Sequence, residues 1–273
     1  MQNLTYLPVH ENLLGFIHSY GLMTMSSEIT MPLISSPNGL TGFLIRVKDI
    51  DFELEGRDYE GRSIAEQQNY VIGQTTFPIV GSFSGQAEYI VVFFEPLGLY
   101  RIFGCDMSLL ANKTLDLKSF LGDSKFNSLY KDLINNDNSS KRIEILDSFF
   151  LSQKKEDENV SIVLQALKFI HQSKGNVSVK ALETSCGVNR RMLERQFQTK
   201  IGLSPKIYAQ IFRFKYTMNY LAENPNTSWA ELSNIVGYFD QSHLIRYFKE
   251  YLKTSPSNIV SLNLEFMNYF LRY

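Results

Sequence analysis

The sequence has little cysteine and no long apolar run. Its two cysteines, Cys105 and Cys186, stand alone among 273 residues and form no C-x-x-C pair. We therefore expect reduced thiols, as in a cytoplasmic protein, and neither disulfides nor a metal site. No apolar stretch reaches the roughly 18–20 residues that span a bilayer, so no membrane partner is expected. The first residues, MQNLTYLPVHENLLGF, lack the basic start and apolar core of a secretory signal.

A strong net charge is also absent, but the total of −1 hides two unlike halves. Residues 1–159 hold 13 Lys and Arg against 21 Asp and Glu, a balance of −8. Residues 160–273 hold 14 against 7, a balance of +7. This asymmetry suggests two domains with different partners, and it makes the basic half a candidate for binding a polyanion.

The residues up to about 95 predict strands, because β-branched and aromatic runs alternate with Gly, Pro, Asn and Ser. The runs lie at 39–47, 69–73, 78–83 and 87–95. Short strands with glycine turns are typical of an antiparallel sandwich or small barrel. From about Pro96 apolar residues recur at spacings of three and four, which predicts helices after the β region. The whole chain is therefore expected to be an α+β multidomain protein.

A polar segment, QKKEDEN at 153–159, predicts the linker between the domains. It separates an N-terminal domain, 1–152, from an all-α domain, 160–262, which is followed by a tail, 263–273. The first helix of the second domain should place one apolar face on the core. The residues of that face are Val160, Val163, Leu164, Leu167 and Ile170.

The second domain contains an internal repeat. LETSCGVNRRMLERQFQTKIGLSPKIY (182–208) aligns with LSNIVGYFDQSHLIRYFKEYLKTSPSNI (232–259), with one residue inserted after the glycine of the second copy. Each copy has the layout of a helix-turn-helix, in which a short helix ends before Gly187 or Gly237 and a second helix follows a tight turn.

Between the copies, residues 205–224 have no Gly or Pro after their start and predict one helix of about 18 residues, roughly 27 Å long. Asn189 and Asp240 are placed to cap the second helix of each copy. One turn of DNA is about 34 Å. A helix of this length could hold two recognition helices in adjacent major grooves.

The run from Asp240 to His243 also contains the residue types of a hydrolase or a metal site. Neighbouring residues of one helix point in different directions, and one Asp–His pair falls short of the three or four ligands that zinc needs. No G-x-S-x-G motif is present. We therefore expect no enzyme and no cofactor. A catalytic or adaptor function in the N-terminal half, targeted to DNA by the second half, is the alternative.

Three segments, GVNRRMLERQF, GLSPKIYAQIFRF and GYFDQSHLIRYFKEYLKTSP, resemble the DNA-binding domain of AraC/XylS-type bacterial transcription regulators. The resemblance extends from about residue 160 to 260 and implies a DNA-binding regulator with both recognition helices in major grooves of double-stranded DNA. The base-contacting positions that it implies are Arg191, Glu194, Arg195, Gln241, Ser242, His243 and Arg246. The phosphate contacts expected beside them are Arg190, Lys249 and Lys253.

The side-chain chemistry suits these roles, because Arg pairs with guanine, Gln pairs with adenine and Glu accepts from cytosine. The sequence departs from the family pattern at two positions. Glu183 stands where the family usually has a small residue, and Lys253 stands where it usually has glycine. These departures put in question the turn of the first copy and the end of the second.

The N-terminal part, in VIGQTTFPIVGSF and VVFFEPLGLYRIFG, resembles an uncharacterised sensor domain of such regulators. This resemblance implies a small-molecule effector. The helices between 107 and 151 either pair two chains into a homodimer or only cover the sheet. RNA polymerase is a further partner if the protein activates transcription. Core packing is the alternative role for the aromatic residues that are candidates to line an effector pocket: Phe77, Phe83, Tyr89 and Phe93.

Overall fold

The computed structural model describes residues 2–57, 61, 63, 68–155 and 159–253. The chain divides into two compact units. The first unit comprises Met1–Leu33, Leu40–Gln74 and Ile79–Asp157, and the second comprises Ile34–Gly39, Thr75–Pro78 and Glu158–Tyr273. The expected linker at 153–159 lies partly outside the described residues, and the expected tail at 263–273 lies wholly outside them.

The first unit contains a six-stranded sheet with the order β1-β2-β5-β3-β4-β6. The pairs β1–β2, β3–β4, β3–β5 and β4–β6 are antiparallel. The predicted antiparallel β region is therefore confirmed. The strands are β1 (Gln2–Leu7), β2 (Ile17–Ser35), β3 (Thr41–Arg57), β4 (Asn69–Ile72), β5 (Ile79–Phe94) and β6 (Thr114–Asp116).

The helices predicted after Pro96 are present and share a core with the sheet. They are α1 (Gly98–Phe103), α2 (Leu117–Leu121), α3 (Asp123–Ile134) and α4 (Ser139–Gln153), with short 3-10 helices at Glu11–Leu13 and Met107–Leu109. Phe150 of α4 lies against Phe94 of β5 and Phe43 of β3, with ring centroids 5.6 and 6.0 Å away. All three side chains are fully buried, so the helices cover one face of the sheet.

Residues 89–94, YIVVFF, are continuously apolar because this end of β5 is buried on both faces. Ile90 and Val92 belong to the core shared with the helices. Tyr89, Val91 and Phe93 alternate with them, point to the opposite face and are also buried.

Two of the predicted strands, at 78–83 and 87–95, are a single strand in the structure. Gly85 between them is not a turn: it lies opposite a bulge of β3, in which Asp51 and Phe52 face this one residue of β5, and its φ of +79° is in the left-handed region. β1 and β2 were not predicted. β2 contains Gly21 and Pro32, residues that ordinarily interrupt a strand pattern.

The second unit is helical, as predicted. Its helices are α5 (Ser161–Gln172), α6 (Val179–Cys186), α7 (Arg190–Ile201), α8 (Pro205–Glu223), α9 (Trp229–Ile235) and α10 (Gln241–Leu252). None of the helices in the described ranges is long and apolar enough to cross a membrane.

The predicted core face of α5 is right except at Leu164, whose side chain is 46% exposed. Val163, Leu167 and Ile170 are buried together with Ala166. These four follow the i, i+3, i+4, i+7 pattern of one helix face, and Leu164 lies one step outside it.

The bulge predicts a steep cost for a side chain at Gly85. A Cβ there would lie 2.0 Å from the carbonyl oxygen of Asp51. We expect Gly85→Ala to lower the free energy of unfolding of the first unit by about 2 kcal/mol or more. Urea unfolding followed by circular dichroism measures the loss. Fluorescence of Trp229, the one tryptophan of the chain, reports the second unit and should not change.

Gly15→Ala is the matched control in the first unit. Gly15 has nearly the same φ, +78°, but an added Cβ would meet nothing within 4 Å. Its cost should be limited to the backbone conformation, about 1 kcal/mol. Equal losses in the two variants would contradict the bulge as the source of the close approach.

Candidate nucleic-acid interface

The first helix-turn-helix motif consists of α6 and α7, and local backbone chemistry fixes its turn. α6 ends where Gly187 adopts a left-handed conformation, φ +65°. The N–H of Val188 donates to the carbonyl of Glu183 at 3.2 Å, which closes the helix end. Asn189 then caps α7 by accepting from the N–H of Met192 at 2.9 Å.

The second motif, α9 and α10, repeats this arrangement. The N–H of Tyr238 donates to the carbonyl of Ser233 at 2.8 Å, across the same six-residue span. Gly237 has φ +74°. Asp240 caps α10 and accepts from the N–H of His243 at 2.7 Å. The turns of the two motifs and their predicted caps are therefore as expected.

The long helix α8 holds both second helices. Tyr208, near its start, contacts Phe197 of α7 with ring centroids 6.3 Å apart. Phe214, further along α8, contacts Phe248 of α10 with centroids 5.3 Å apart. Together with Leu193 of α7 and Leu244 of α10, Phe197 and Phe248 are fully buried. α7 and α10 are thus fixed to one rigid element from behind.

Polar residues cover the opposite faces of α7 and α10. Residues spaced by four and then three lie on one side of a helix. In α7 the exposed residues with this spacing are Arg191, Arg195 and Gln198, and in α10 they are Ser242, Arg246 and Lys249. The repeat aligns these two sets position by position.

The other candidate contact residues surround these two sets. Gln241, Arg190 and Lys253 are exposed, whereas Glu194 and His243 are partly buried. The Nε of Arg190 lies 2.8 Å from the Oε1 of Glu194 in an i, i+4 ion pair. This pair raises the pKa of Arg190. An exposed pair of this kind contributes little to stability, so other partners can readily replace it.

The surroundings of His243 favour the neutral form of its imidazole. Burial lowers the pKa of its imidazole, and the neighbouring guanidinium groups of Arg246 and Arg213 lower it further. Its Nδ1 accepts from the N–H of Phe239 at 3.5 Å. A neutral ring with an accepting Nδ1 carries its proton on Nε2 and offers a hydrogen-bond donor there.

Arg213 of α8 supports the second motif, and sequence patterns did not indicate it. Its Nε donates to the carbonyl of Val236 at the end of α9, at 2.9 Å. Its guanidinium lies 4.1 Å from the ring centre of Tyr238. A cation at a helix C-terminus and over an aromatic face is stabilising on both counts. The partners are more than twenty residues away in sequence, beyond the range of any local pattern.

The two departures from the family pattern leave the local geometry regular. Glu183 lies in α6, and α6 ends with the same hydrogen-bond pattern as α9, the first helix of the second motif. Lys253 adopts φ +56° and ψ +18°, the left-handed conformation that glycine ordinarily provides at a helix end.

Of the four candidate pocket aromatics, Phe77 belongs to the second unit and the other three belong to the first. Phe83 and Tyr89 both contact Phe52, with ring centroids 6.1 and 6.0 Å away. Phe93 contacts Tyr6, at 6.0 Å.

Two helix-turn-helix motifs on one connecting helix define the class of the second unit. Residues 182–261 match the family model described as a helix-turn-helix domain. The C-terminal part of the chain is an AraC-type helix-turn-helix domain, as its resemblance to AraC/XylS regulators predicted.

One relative is the Msm operon regulatory protein of Streptococcus mutans, which is 34% identical over 116 residues. The match covers 41% of this chain and 41% of that relative, so the chain spans about two fifths of its length. Among solved structures, ToxT of Vibrio cholerae with an unsaturated fatty acid bound has a TM-score of 0.50 at 10% identity, over 88% of this chain and 94% of that one. That likeness concerns the fold alone.

Lys253 in a glycine conformation generates a stability prediction. We expect Lys253→Gly to raise the free energy of unfolding of the second unit by about 1 kcal/mol, because glycine adopts φ > 0 without steric cost. The fluorescence of Trp229 during urea unfolding measures this change, because the Trp229 ring lies 5.6 Å from the ring of Phe248 in α10.

The reverse exchange is the control. Gly187 has φ +65° and open space around its Cβ position, so Gly187→Lys should lower stability by about 1 kcal/mol. A loss of stability in Lys253→Gly would mean that the lysine side chain contributes more than its backbone conformation costs.

Proposed function

We propose that this protein is a sequence-specific DNA-binding transcription regulator that inserts α7 and α10 into successive major grooves. One observation carries the proposal: α8 anchors both helices from behind and leaves their polar faces exposed. A helix-turn-helix reads DNA with the N-terminal residues of its second helix. In both motifs those residues are the exposed polar ones.

The length of α8 supports two contacts on one side of a duplex. Its 19 residues span about 28 Å at 1.5 Å per residue. Successive major-groove faces are about 34 Å apart. The length of α8 is therefore of the same order as that spacing.

The base contacts that we propose come from both helices. They are Arg191, Glu194, Arg195, Gln241, Ser242, His243 and Arg246. Phosphate contacts from Arg190, Lys249 and Lys253 would fix the register of the domain. In the complex, Arg190 exchanges Glu194 for a phosphate, which leaves the Glu194 carboxylate available to a cytosine amino group.

The charge balance favours the same partner. The basic half of the chain carries +7 and the half before it carries −8. A basic domain lowers the free energy of binding to a polyanion by releasing condensed counterions.

We further propose that a small molecule bound to the first unit modulates DNA binding. The sensor-domain resemblance and the fatty acid bound to ToxT, a protein of similar fold, support this idea. Within the first unit, Phe83 and Tyr89 meet at Phe52, and the guanidinium of Arg46 lies 5.8 Å from the Phe52 ring centre. This arrangement suits an apolar ligand with an anionic group. Phe77 and Phe93 complete the candidate set.

The remaining expectations follow from this function. The boundaries 1–152 for the sensor domain, 153–159 for the linker and 160–262 for the DNA-binding domain stand as proposals, as does a cytoplasmic location. A homodimer through α3 and α4 would double the operator contacts. RNA polymerase would be the partner of an activator.

Replacing one base-contacting residue should relax specificity at one position. A cognate operator is first selected from random duplexes with the full chain. We then expect Arg195→Ala or Gln241→Ala to cost about 1–3 kcal/mol of binding free energy on that operator and to remove discrimination at a single base pair. Equilibrium binding to a set of single-substitution operators measures both effects.

Lys249→Ala is the matched control, because a phosphate contact carries no sequence information. It should weaken binding to all operators alike and reduce the salt slope by about one. A uniform loss in Arg195→Ala or Gln241→Ala would contradict the proposed base contacts. Failure to select any operator would contradict the function itself.

A further inference from the structure

Phe239 is the most exposed large apolar side chain in the described part of the protein. Its side chain is 90% exposed, against 69% for the next, Ile29. It stands in the turn of the second motif, between the buried Tyr238 and the helix cap Asp240. Burial of the Phe239 ring therefore contributes little to the stability of the fold, whereas the neighbouring ring of Tyr238 is buried.

The backbone identifies Phe239 as the residue inserted in the second copy of the repeat. The helix-ending hydrogen bonds pair Val188 with Tyr238, an offset of 50. The capping hydrogen bonds pair Asn189 with Asp240, an offset of 51. One extra residue must lie between these two anchors, and it is Phe239. The first motif has no counterpart to its side chain.

The position of Phe239 is fixed although its ring is exposed. Its N–H donates to Nδ1 of His243, and Tyr238 packs its ring against His243 and Tyr247, with centroids 5.5 and 5.4 Å away. Asp240 immediately afterwards is committed to capping α10. The backbone that carries this ring is preorganised, so less backbone entropy is lost when the ring binds.

The surroundings of Phe239 indicate what it would touch. The next two residues, Gln241 and Ser242, are exposed and begin α10. If α10 enters a major groove, as the proposed function requires, the residue before its cap lies at the same groove. The apolar group that base edges present in the major groove is the C5-methyl of thymine, which Phe is suited to contact.

We propose that Phe239 reads a thymine at the edge of the site occupied by α10, through contact of its ring with the C5-methyl group. This inference rests on the proposed DNA binding. It gives the second motif a specificity contact that the first motif lacks, and it adds an apolar contact to a set that is otherwise polar.

The test uses the full chain and the operator selected with it. Each thymine of the operator is replaced in turn by deoxyuridine, which lacks only the C5-methyl group. We expect an affinity loss of about fourfold at one thymine, the effect of one methyl group removed from water. In Phe239→Ser, binding to the unmodified operator should fall by at least the same factor. Deoxyuridine at that thymine should then have no further effect.

Controls separate this contact from its neighbours. Gln241→Ala should keep the sensitivity to deoxyuridine at that thymine, and Phe239→Leu should keep part of it. Trp229 fluorescence during urea unfolding checks that Phe239→Ser leaves the second unit folded.

Two results would overturn the inference while leaving DNA binding intact. One is a wild-type protein that tolerates deoxyuridine at every position. The other is a Phe239→Ser variant whose affinity for DNA is unchanged. If that variant also supports less transcription by RNA polymerase in vitro, the ring contacts a protein partner instead of DNA. Failure to select any operator would instead refute the proposed function.

Discussion

The packing of α8 between the two motifs is the constraint on which the second unit depends. Tyr208 and Phe214 lie on the same helix and contact Phe197 and Phe248, the buried anchors of α7 and α10. Because a helix is stiff over this length, packing against α8 fixes α7 and α10 relative to each other. The buried contacts of Phe197 and Phe248 with α8 therefore fix the orientation of the exposed polar faces of α7 and α10.

The same separation of roles occurs within each motif. Apolar residues fix the second helix, a capping side chain sets where it begins, and the remaining positions are free to vary in chemistry. Asn189 and Asp240 perform the same capping task, whereas Arg191 and Ser242 occupy equivalent exposed positions with different side chains. Arg213 adds a half-buried support to the second motif.

Local signals in the sequence predicted much of this domain. Helix caps, the glycines at the turns and the period of Leu193 and Phe197 act over a few residues, so the pattern alone identifies them. The repeat then indicated the architecture. Leu164 was misplaced because Val160, Val163, Leu164 and Leu167 also follow the i, i+3, i+4, i+7 pattern, and periodicity alone does not tell which of two overlapping faces is buried. A break was predicted between the runs at 78–83 and 87–95 because a turn favours glycine, as does the left-handed position opposite a bulge.

Long-range contacts account for most of what the sequence did not reveal. Arg213 meets its partners across more than twenty residues, and the buried second face of β5 depends on the rest of the fold. The alignment contained Phe239 as an inserted residue, but only the exposure of its ring distinguishes it from a spacer. For the candidate pocket, aromatic content alone could not reveal that Phe83 and Tyr89 both contact Phe52.

The spacing between the two DNA elements tests the account most directly. If α8 holds α7 and α10 at a fixed distance, a selected operator contains two elements centred about one helical turn, 10–10.5 base pairs, apart. Inserting five base pairs between them would rotate one element to the far side of the duplex, and we predict loss of specific binding. Inserting ten should be tolerated no better, because α8 cannot lengthen. Equal affinity for all three spacings would contradict the rigid two-helix reading on which the proposed function depends.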